Sequence, residues 1–257
     1  MKKAVSRFLF RIIRGTIKLV YPKTHARGLE NLPDEPAIYV GNHTQMNGPI
    51  VGEIYFPVDA LTWCTHEMMV LKEVPAYAFQ DFWSQKPRWT HPFFRLLSYV
   101  IAPIAVIIFN NAKTLPVYRD MRVMETYRKS VETLCAGKSL FIFPEYDQKY
   151  NHILYEFQDR FIDTARYYYR KSGKAPLFVP VYLAPKLKTF YFGRPVRFDP
   201  SAPIKEERER IKAYLKEEIT RMAESLPRHR VIPYRNIPKR DYPYNIPEAT
   251  RHDQANL

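Results

Sequence analysis

Two short stretches carry side chains that could do acid–base chemistry. The first is Asn42-His43, which follows the β-branched and aromatic run 38–40 and the turn residue Gly41. Residues just past a strand lie at the edge where open α/β sheets place their chemistry. An imidazole there can accept a proton from a hydroxyl near neutral pH, so His43 is a candidate general base; the alternative is a histidine that only caps a turn. The second stretch contains Glu145 and Asp147.

The elements that would position these residues alternate between strand and helix. Apolar runs predict buried strands at 139–143 and 177–184, and periodic apolar positions predict helices at about 120–136, 156–171 and 203–226. This alternation is typical of a single α/β domain with a mixed, mainly parallel sheet flanked by helices, which we assign to residues 31–226.

The N-terminal segment, residues 1–30, has a different character. Basic residues recur at helical spacing on one stripe of 2–20, apolar residues lie on the other side, and no acidic residue precedes Glu30. No apolar run in this stretch is long enough to span a bilayer, and no small-residue cleavage site follows it. We expect a basic amphipathic helix on a membrane surface; the alternative is a helix packed on the domain with solvated charges.

Composition supports an anionic partner. The 257 residues include 40 Lys and Arg against 26 Asp and Glu, a formal net charge of +14. Such an excess favours either nucleic acid or a membrane that carries anionic lipid. The sequence has no nucleic-acid motif, so we expect no nucleic-acid partner and predict a peripheral protein on the cytoplasmic face of a membrane. Its two cysteines suit a reducing compartment.

Two further stretches differ in composition from the rest of the chain. The apolar stretch 96–109 predicts a buried helix running into a buried strand, with shallow membrane insertion as the alternative. Residues 227–257 are rich in proline and charge, and they predict an extended C-terminal arm with little core of its own.

Four blocks, in order, resemble the lysophospholipid acyltransferase family, which includes glycerol-phosphate and lysophosphatidate acyltransferases. Asn42-His43 with its loop resembles the family's NHxxxxD block, and residues 116–119 resemble the second block, an apolar stretch ending in Arg119. Residues 143–145 resemble the FPEG block, and 179–181 resemble a fourth block, a strand that carries a proline. The resemblance covers about 37–200, where 193–196 is also similar to a Gly-Lys-Pro-Ile strand of the family.

This resemblance implies acyl transfer from a thioester, on coenzyme A or acyl carrier protein, to a hydroxyl of a lysolipid. His43 would remove the hydroxyl proton. Arg119 would hold the acceptor phosphate through its two-pronged guanidinium. Glu145 would line the acceptor pocket with Asn42 and Tyr146. No metal and no permanently bound cofactor are implied.

Two departures from the family pattern concern the site. The family has an Asp five residues after the His, where this chain has Gly48, and it has a Gly where this chain has Tyr146. That Asp orients the imidazole and stabilises its protonated form. Asn47, Glu145 and Asp147 are the candidate replacements.

Two other interpretations remain open. The first is a catalytically inactive, lipid-binding relative with the same fold, which the loss of the Asp favours. The second is a cation site on a helical stripe of His152, Glu156, Asp159 and Asp163, for which a solvated acidic face is the preferred explanation.

Overall fold

The computed structural model describes residues 3–246. The α-helices are α1 Lys3–Val20, α2 Asn47–Tyr55, α3 Val74–Ala78, α4 His91–Asn111, α5 Val123–Cys135, α6 Asp163–Ser172 and α7 Ile204–Glu224. The strands are β1 His25–Arg27, β2 Ala37–Gly41, β3 Ala60–Thr65, β4 Thr114–Val117, β5 Ser139–Ile142, β6 Leu177–Ala184, β7 Thr189–Phe192 and β8 Val196–Arg197.

The expected fold class, an α/β domain with a mixed and mainly parallel sheet flanked by helices, is confirmed. Parallel pairing joins β2 to β5, β2 to β6, β1 to β7 and β3 to β4, while β6 pairs antiparallel with β7 and β8. The described residues cluster in two compact units: unit 1 holds 3–22 and 61–129, and unit 2 holds 23–60 and 130–246. The expected boundaries after residues 30 and 226 stay predictions.

Unit 2 is built on the strand order β1-β7-β6-β2-β5. Residues 37–40 of β2 are at most 1% exposed, and the four residues of β5 are also buried. A strand covered on both faces reads as a continuous apolar run, which explains why β2, β5 and β6 were recognisable in the sequence. Ile38 pairs with Leu140 and Val40 with Ile142, so the carboxyl ends of β2 and β5 meet at one edge of the sheet.

Unit 1 contains α1, the parallel pair β3–β4, and α4. The outer face of α4 is apolar and exposed: Phe93, Leu96, Tyr99 and Val100 are each more than 60% exposed. Its inward face carries small residues, among them Ser98, Ala102 and Ala105, which are buried. The expected buried helix running into a strand was therefore wrong, because 91–111 form one helix on which these four large apolar side chains are exposed. The segment Arg88–Asn111 is long and apolar enough to cross a membrane.

Two other expectations differ from the structure. The helix expected at about 156–171 begins only at Asp163, because Phe157 forms an antiparallel bridge with Glu145 instead of a helical turn. The C-terminal arm was expected to contribute little core. Within its described part, 227–246, Val231 is 1% exposed and Asn245 is fully buried. The parts of the expected N-terminal helix and C-terminal arm at 1–2 and 247–257 lie outside the described residues.

Candidate functional site

The site is organised by the two loops that leave β2 and β5 in unit 2. Glu145, 4% exposed, uses both carboxylate oxygens to hold backbone amides. Its Oε1 accepts from the amide of His43 at 2.7 Å, and its Oε2 accepts from the amide of Tyr155 at 2.8 Å. The structure thus brings His43 and Glu145 together, but through the His43 backbone. Glu145 fixes where the His43 loop begins.

Asn42 has a structural role that complements this contact. Its Nδ2 donates to the carbonyl of Leu183 at 3.0 Å, and its Oδ1 accepts from the amide of the same residue at 2.7 Å. The side-chain amide therefore continues the β2–β6 pairing by one step after β2 has ended. Asn42 is only 2% exposed, and these two hydrogen bonds satisfy the polar atoms of its buried side-chain amide. The side chain is directed to β6 rather than toward the His43 ring.

The His43 ring lies between two aromatic side chains. Phe143 and Tyr234 contact it edge-on, with ring centroids 5.4 and 5.3 Å away. Within residues 3–246, the buried Nδ1 atom has no hydrogen-bond partner. Burial lowers the pKa of His43 to about 4, and the backbone carbonyls of Gln45 and His43 only partly oppose this effect. At neutral pH the ring is neutral and can accept a proton, but no acid among the described residues stabilises the imidazolium that would form.

Gly48 occupies the position at which the family pattern has its Asp, and the backbone there is too crowded for a side chain. Its amide donates to the carbonyl of His43 at 3.2 Å. A Cβ atom on Gly48 would lie 2.3 Å from that carbonyl oxygen and 3.1 Å from the Phe143 ring. Contacts between a Cβ and a backbone oxygen at 2.3 Å are sterically forbidden, so an Asp at this position requires a different loop conformation.

None of the three candidate replacements hydrogen-bonds the ring Nδ1 in the described part of the chain. Asn47 donates through Nδ2 to the carbonyl of Thr44 at 3.0 Å. Glu145 is engaged with backbone amides, as described above. Asp147 is exposed and faces Arg235, with 3.7 Å between Oδ2 and Nε. Burial raises the pKa of Glu145 to about 7, against the opposing effect of the two amides from which it accepts.

The loop after His43 has an unusual backbone. Thr44 and Gln45 have φ angles of 48° and 56°, in the left-handed region that residues with side chains rarely occupy. The Thr44 hydroxyl is buried and, like Nδ1 of His43, has no hydrogen-bond partner within the described residues. Two consecutive left-handed residues beside two unpaired buried polar atoms indicate a strained loop.

The other expected residues lie around these loops or in unit 1. Tyr146 is half-buried, and its amide donates to the carbonyl of Glu156 at 3.0 Å. Arg119 belongs to unit 1, where it lies just after β4 and is exposed. Burial raises the pKa of Asp81, and the Arg119 guanidinium nearby opposes this rise. Arg119 therefore has a carboxylate of its own unit as a neighbour.

The expected stripe of acidic residues is not a ligand cluster. Glu156 pairs with Lys216, Asp163 pairs with Arg208, and His152 pairs with Glu224. Across 3–246, no group of three or more His, Cys, Asp or Glu side chains is placed to hold a metal ion.

No family model matches the chain, and no curated protein matches its sequence. Among solved structures, it is similar to the crystal structure of the 1-acyl-sn-glycerophosphate (LPA) acyltransferase PlsC from Thermotoga maritima. The two are 14% identical, the likeness covers 86% of this chain and 83% of that chain, and the TM-score is 0.44. The residues of the site, not this likeness, support the function proposed for the chain.

Several residues around His43 could not be recognised in the sequence. Tyr234 contacts the ring, and Gln45 is bonded to Arg235, 190 positions away. Tyr155 supplies an amide to Glu145, a contact that any residue type except proline could make. Such contacts have no local sequence signal, because they depend on where distant parts of the chain return to the loop.

Proposed function

We propose that this protein is an acyltransferase that moves a fatty acyl group from a thioester to a hydroxyl of a lysophospholipid or related acceptor. The observation that carries the proposal is the position of the His43 imidazole, which is neutral at neutral pH and follows β2 at the carboxyl edge of two adjacent parallel strands. The Glu145 carboxylate holds the amide of His43 at 2.7 Å and so fixes the loop that carries the ring. That edge is where open α/β sheets bind substrates. The donor is acyl-coenzyme A or acyl carrier protein.

In the proposed reaction, His43 acts as the general base. The neutral imidazole accepts the hydroxyl proton while the acceptor oxygen attacks the thioester carbonyl carbon. The carbon–sulfur bond then breaks, and the proton passes from His43 to the departing thiolate. Arg119 is proposed to bind the acceptor phosphate, for which a guanidinium offers two parallel donors.

The experiment is a measurement of thiol release from acyl-coenzyme A and from acyl carrier protein, with a panel of lysolipids in mixed micelles. We expect lysolipid-dependent release that is lost in His43→Ala and retained in His152→Ala, a matched change at a histidine that pairs with Glu224 on the surface. We expect Arg119→Gln to raise KM for acceptors that carry a phosphate, with a smaller effect on neutral ones. Equal release by wild type and His43→Ala would reject the assigned base.

We also propose that unit 1 binds the cytoplasmic face of a membrane through α1 and α4. The two helices belong to one unit, and the Asn111 side chain donates to the Ser6 hydroxyl at 2.8 Å. Phe8 and Ile12 of α1 are at least half exposed, like the outer face of α4. Large apolar side chains outside and small ones inside are typical of helices that face lipid. Basic residues of α1 suit anionic headgroups: Lys3, Arg7, Arg11, Arg14 and Lys18.

Vesicle flotation tests this surface. Each basic residue near an anionic surface contributes about 1 kcal/mol, so a double change of Arg7 and Arg11 to Gln is expected to weaken binding to phosphatidylglycerol vesicles by about 30-fold. The matched control is a double change of Arg170 and Lys171 to Gln, at the exposed end of α6 in unit 2. Equal losses for both pairs would reject α1 as the binding helix.

A second candidate function is lipid binding without catalysis. It is favoured by the buried Nδ1 of His43, which has no acid as a partner among residues 3–246, and by the crowding that excludes an Asp at position 48. If neither wild type nor His43→Ala releases thiol from the acyl donors while both bind anionic vesicles, this second function replaces the first.

A further inference from the structure

The described part of the C-terminal arm, residues 227–246, forms a strap that is firmly fixed at both ends. Near its start, His229 Nε2 lies 2.8 Å from the hydroxyl of the buried Tyr182. Near its end, the buried Asn245 accepts from the His229 amide at 2.8 Å and donates to the carbonyl of Ala223 at 2.8 Å. The strap is therefore part of the folded unit and not a loose tail.

The middle of the strap covers the His43 loop. The Tyr234 ring contacts the imidazole, and the carbonyl of Arg235 accepts from Gln45 Nε2 at 3.2 Å. The Tyr242 hydroxyl donates to Gln45 Oε1, also at 3.2 Å. The strap therefore holds both the nitrogen and the oxygen of the Gln45 side-chain amide.

These contacts act on the strained part of the loop. Gln45 is one of the two left-handed residues, and it follows Thr44 and His43, whose buried polar atoms lack partners in the described chain. A left-handed backbone at a residue with a side chain persists only where surrounding contacts hold it. The two hydrogen bonds from the strap are contacts of this kind.

The middle of the strap is also held more weakly than its ends. Residues 231–233 and Tyr242 are buried or nearly so, whereas much of 235–241 is exposed. The ion pair of Arg235 with Asp147 is long, at 3.7 Å, and both side chains are more than half exposed, so it contributes little. Segments with exposed contacts open at a lower free energy than buried ones.

We propose that the strap is an autoinhibitory cover, whose central part must move Tyr234 away from His43 before an acyl acceptor can reach the imidazole. With the strap closed, Tyr234 occupies one side of the ring and Gln45 is clamped. With its centre open and its two ends still docked, the ring is accessible and the loop is free to relax. This inference rests on the proposed function for its consequence in catalysis, but the covering itself is tested without any substrate.

The test is carbethoxylation of the full-length protein by diethyl pyrocarbonate near neutral pH, followed by peptide mass spectrometry. The reagent attacks neutral imidazole, so the rate at His43 measures access to the ring. We expect Tyr234→Ala to raise this rate about tenfold, the effect of losing one aromatic contact on an opening equilibrium. The matched control is Tyr244→Ala, which removes a strap ring that lies against Arg228 and Arg230.

A second variant guards against misfolding of the first. Gln45→Gly removes both strap hydrogen bonds, while glycine adopts the left-handed backbone without strain. It is expected to raise the His43 rate several-fold, with the rate at the buried His229 unchanged as a check that the strap ends stay docked. The proposal is overturned if Tyr234→Ala and Gln45→Gly both react at His43 as slowly as Tyr244→Ala. It is also overturned if wild-type His43 reacts as fast as the surface residue His152.

Thiol release by the same variants separates this inference from the proposed function. If the strap inhibits acyl transfer, Tyr234→Ala and Gln45→Gly release thiol faster than wild type. If no protein releases thiol but the carbethoxylation rates differ as expected, the cover stands and acyl transfer fails. If thiol is released at one rate by all variants, and His43 reacts equally in all, the cover fails and the proposed function stands.

Discussion

The two titratable groups of the site, the buried Glu145 and the half-buried His43, are expected to change stability with pH in opposite directions. Burial raises the pKa of Glu145 from 4.5 to about 7. The folded state therefore binds this proton more tightly than the unfolded state, so the stabilisation is complete below about pH 4.5 and is lost as pH rises through about 7. At about 1.4 kcal/mol per pH unit, the loss is about 3 kcal/mol.

His43 has the opposite sign. Burial lowers its pKa from 6.5 to about 4, so its stabilisation is complete above about pH 6.5 and is lost as pH falls through about 4. The magnitude is again about 3 kcal/mol. Between about pH 4.5 and 6.5 the two contributions to the free energy of unfolding change with pH in opposite directions and nearly cancel in the wild-type protein. Each contribution is expected to become measurable when the other group is removed.

The assay is urea unfolding, followed by circular dichroism at several pH values between about 4 and 8. Trp63, Trp83 and Trp89 all lie in unit 1, so tryptophan fluorescence would not report on this site. Relative to wild type, Glu145→Gln is expected to gain about 3 kcal/mol as pH rises from about 4.5 to 7, after a constant loss for the weakened amide contacts. His43→Gln is expected to lose about 3 kcal/mol, relative to wild type, as pH rises from about 4 to 6.5.

Difference curves that stay flat with pH would refute this reasoning. For Glu145, a flat curve would mean that the amides of His43 and Tyr155 stabilise the carboxylate as much as burial destabilises it. For His43, it would mean that the ring is as well solvated in the folded protein as in the unfolded chain.

Three further predictions concern the surrounding structure. Gly48→Ala is expected to cost about 3 kcal/mol in a urea melt, because its Cβ would overlap the His43 carbonyl. The control is Gly15→Ala in α1, where a Cβ has open space and the change is expected to be neutral or stabilising. Equal effects of the two changes on stability would contradict the crowding at Gly48. Asn42→Asp is expected to cost about 2–4 kcal/mol at neutral pH, because a charged acceptor replaces the Nδ2 that donates to the Leu183 carbonyl. Asn42→Gln is the comparison, since it keeps the amide on a longer side chain. An Asn42→Asp protein as stable as wild type would argue against the hydrogen-bonded pairing of Asn42 with Leu183. Tyr182→Phe is expected to cost about 1–2 kcal/mol because it leaves Nε2 of the buried His229 unpaired, and hydrogen exchange of the strap amides should rise with it.

Much of the sheet could be predicted because its strands are buried on both faces. The runs at 38–40, 139–143 and 177–184 are apolar almost throughout, and the helix near 203–226 shows its inward positions at regular spacing, as Ile211, Leu215 and Met222 do. The placement of His43 and Glu145 past two strands also followed from the sequence, since both come shortly after apolar runs. Their contact through a backbone amide did not, because sequence spacing carries no information about which atom of a residue is bonded.

The errors have specific physical causes. The start of α6 was placed too early because Phe157 buries its apolar side chain in a bridge to Glu145, a tertiary contact that overrides helical spacing. The exposure of α4 could not be read from residues 96–109, because an apolar run is equally suited to a protein core and to lipid. The contact of Tyr234 with His43 was also out of reach, since it depends on how the arm packs after α7.

The side chains of Asn42 and Glu145 have one consequence for how motifs of this kind are interpreted. Both use their hydrogen-bonding capacity on the backbone, one on Leu183 and the other on His43 and Tyr155. Natural selection for correct folding alone would keep them, even in a lineage whose chemistry had been lost. A search for active relatives of this chain should therefore give most weight to the imidazole and its acid, and little to the asparagine and glutamate beside them.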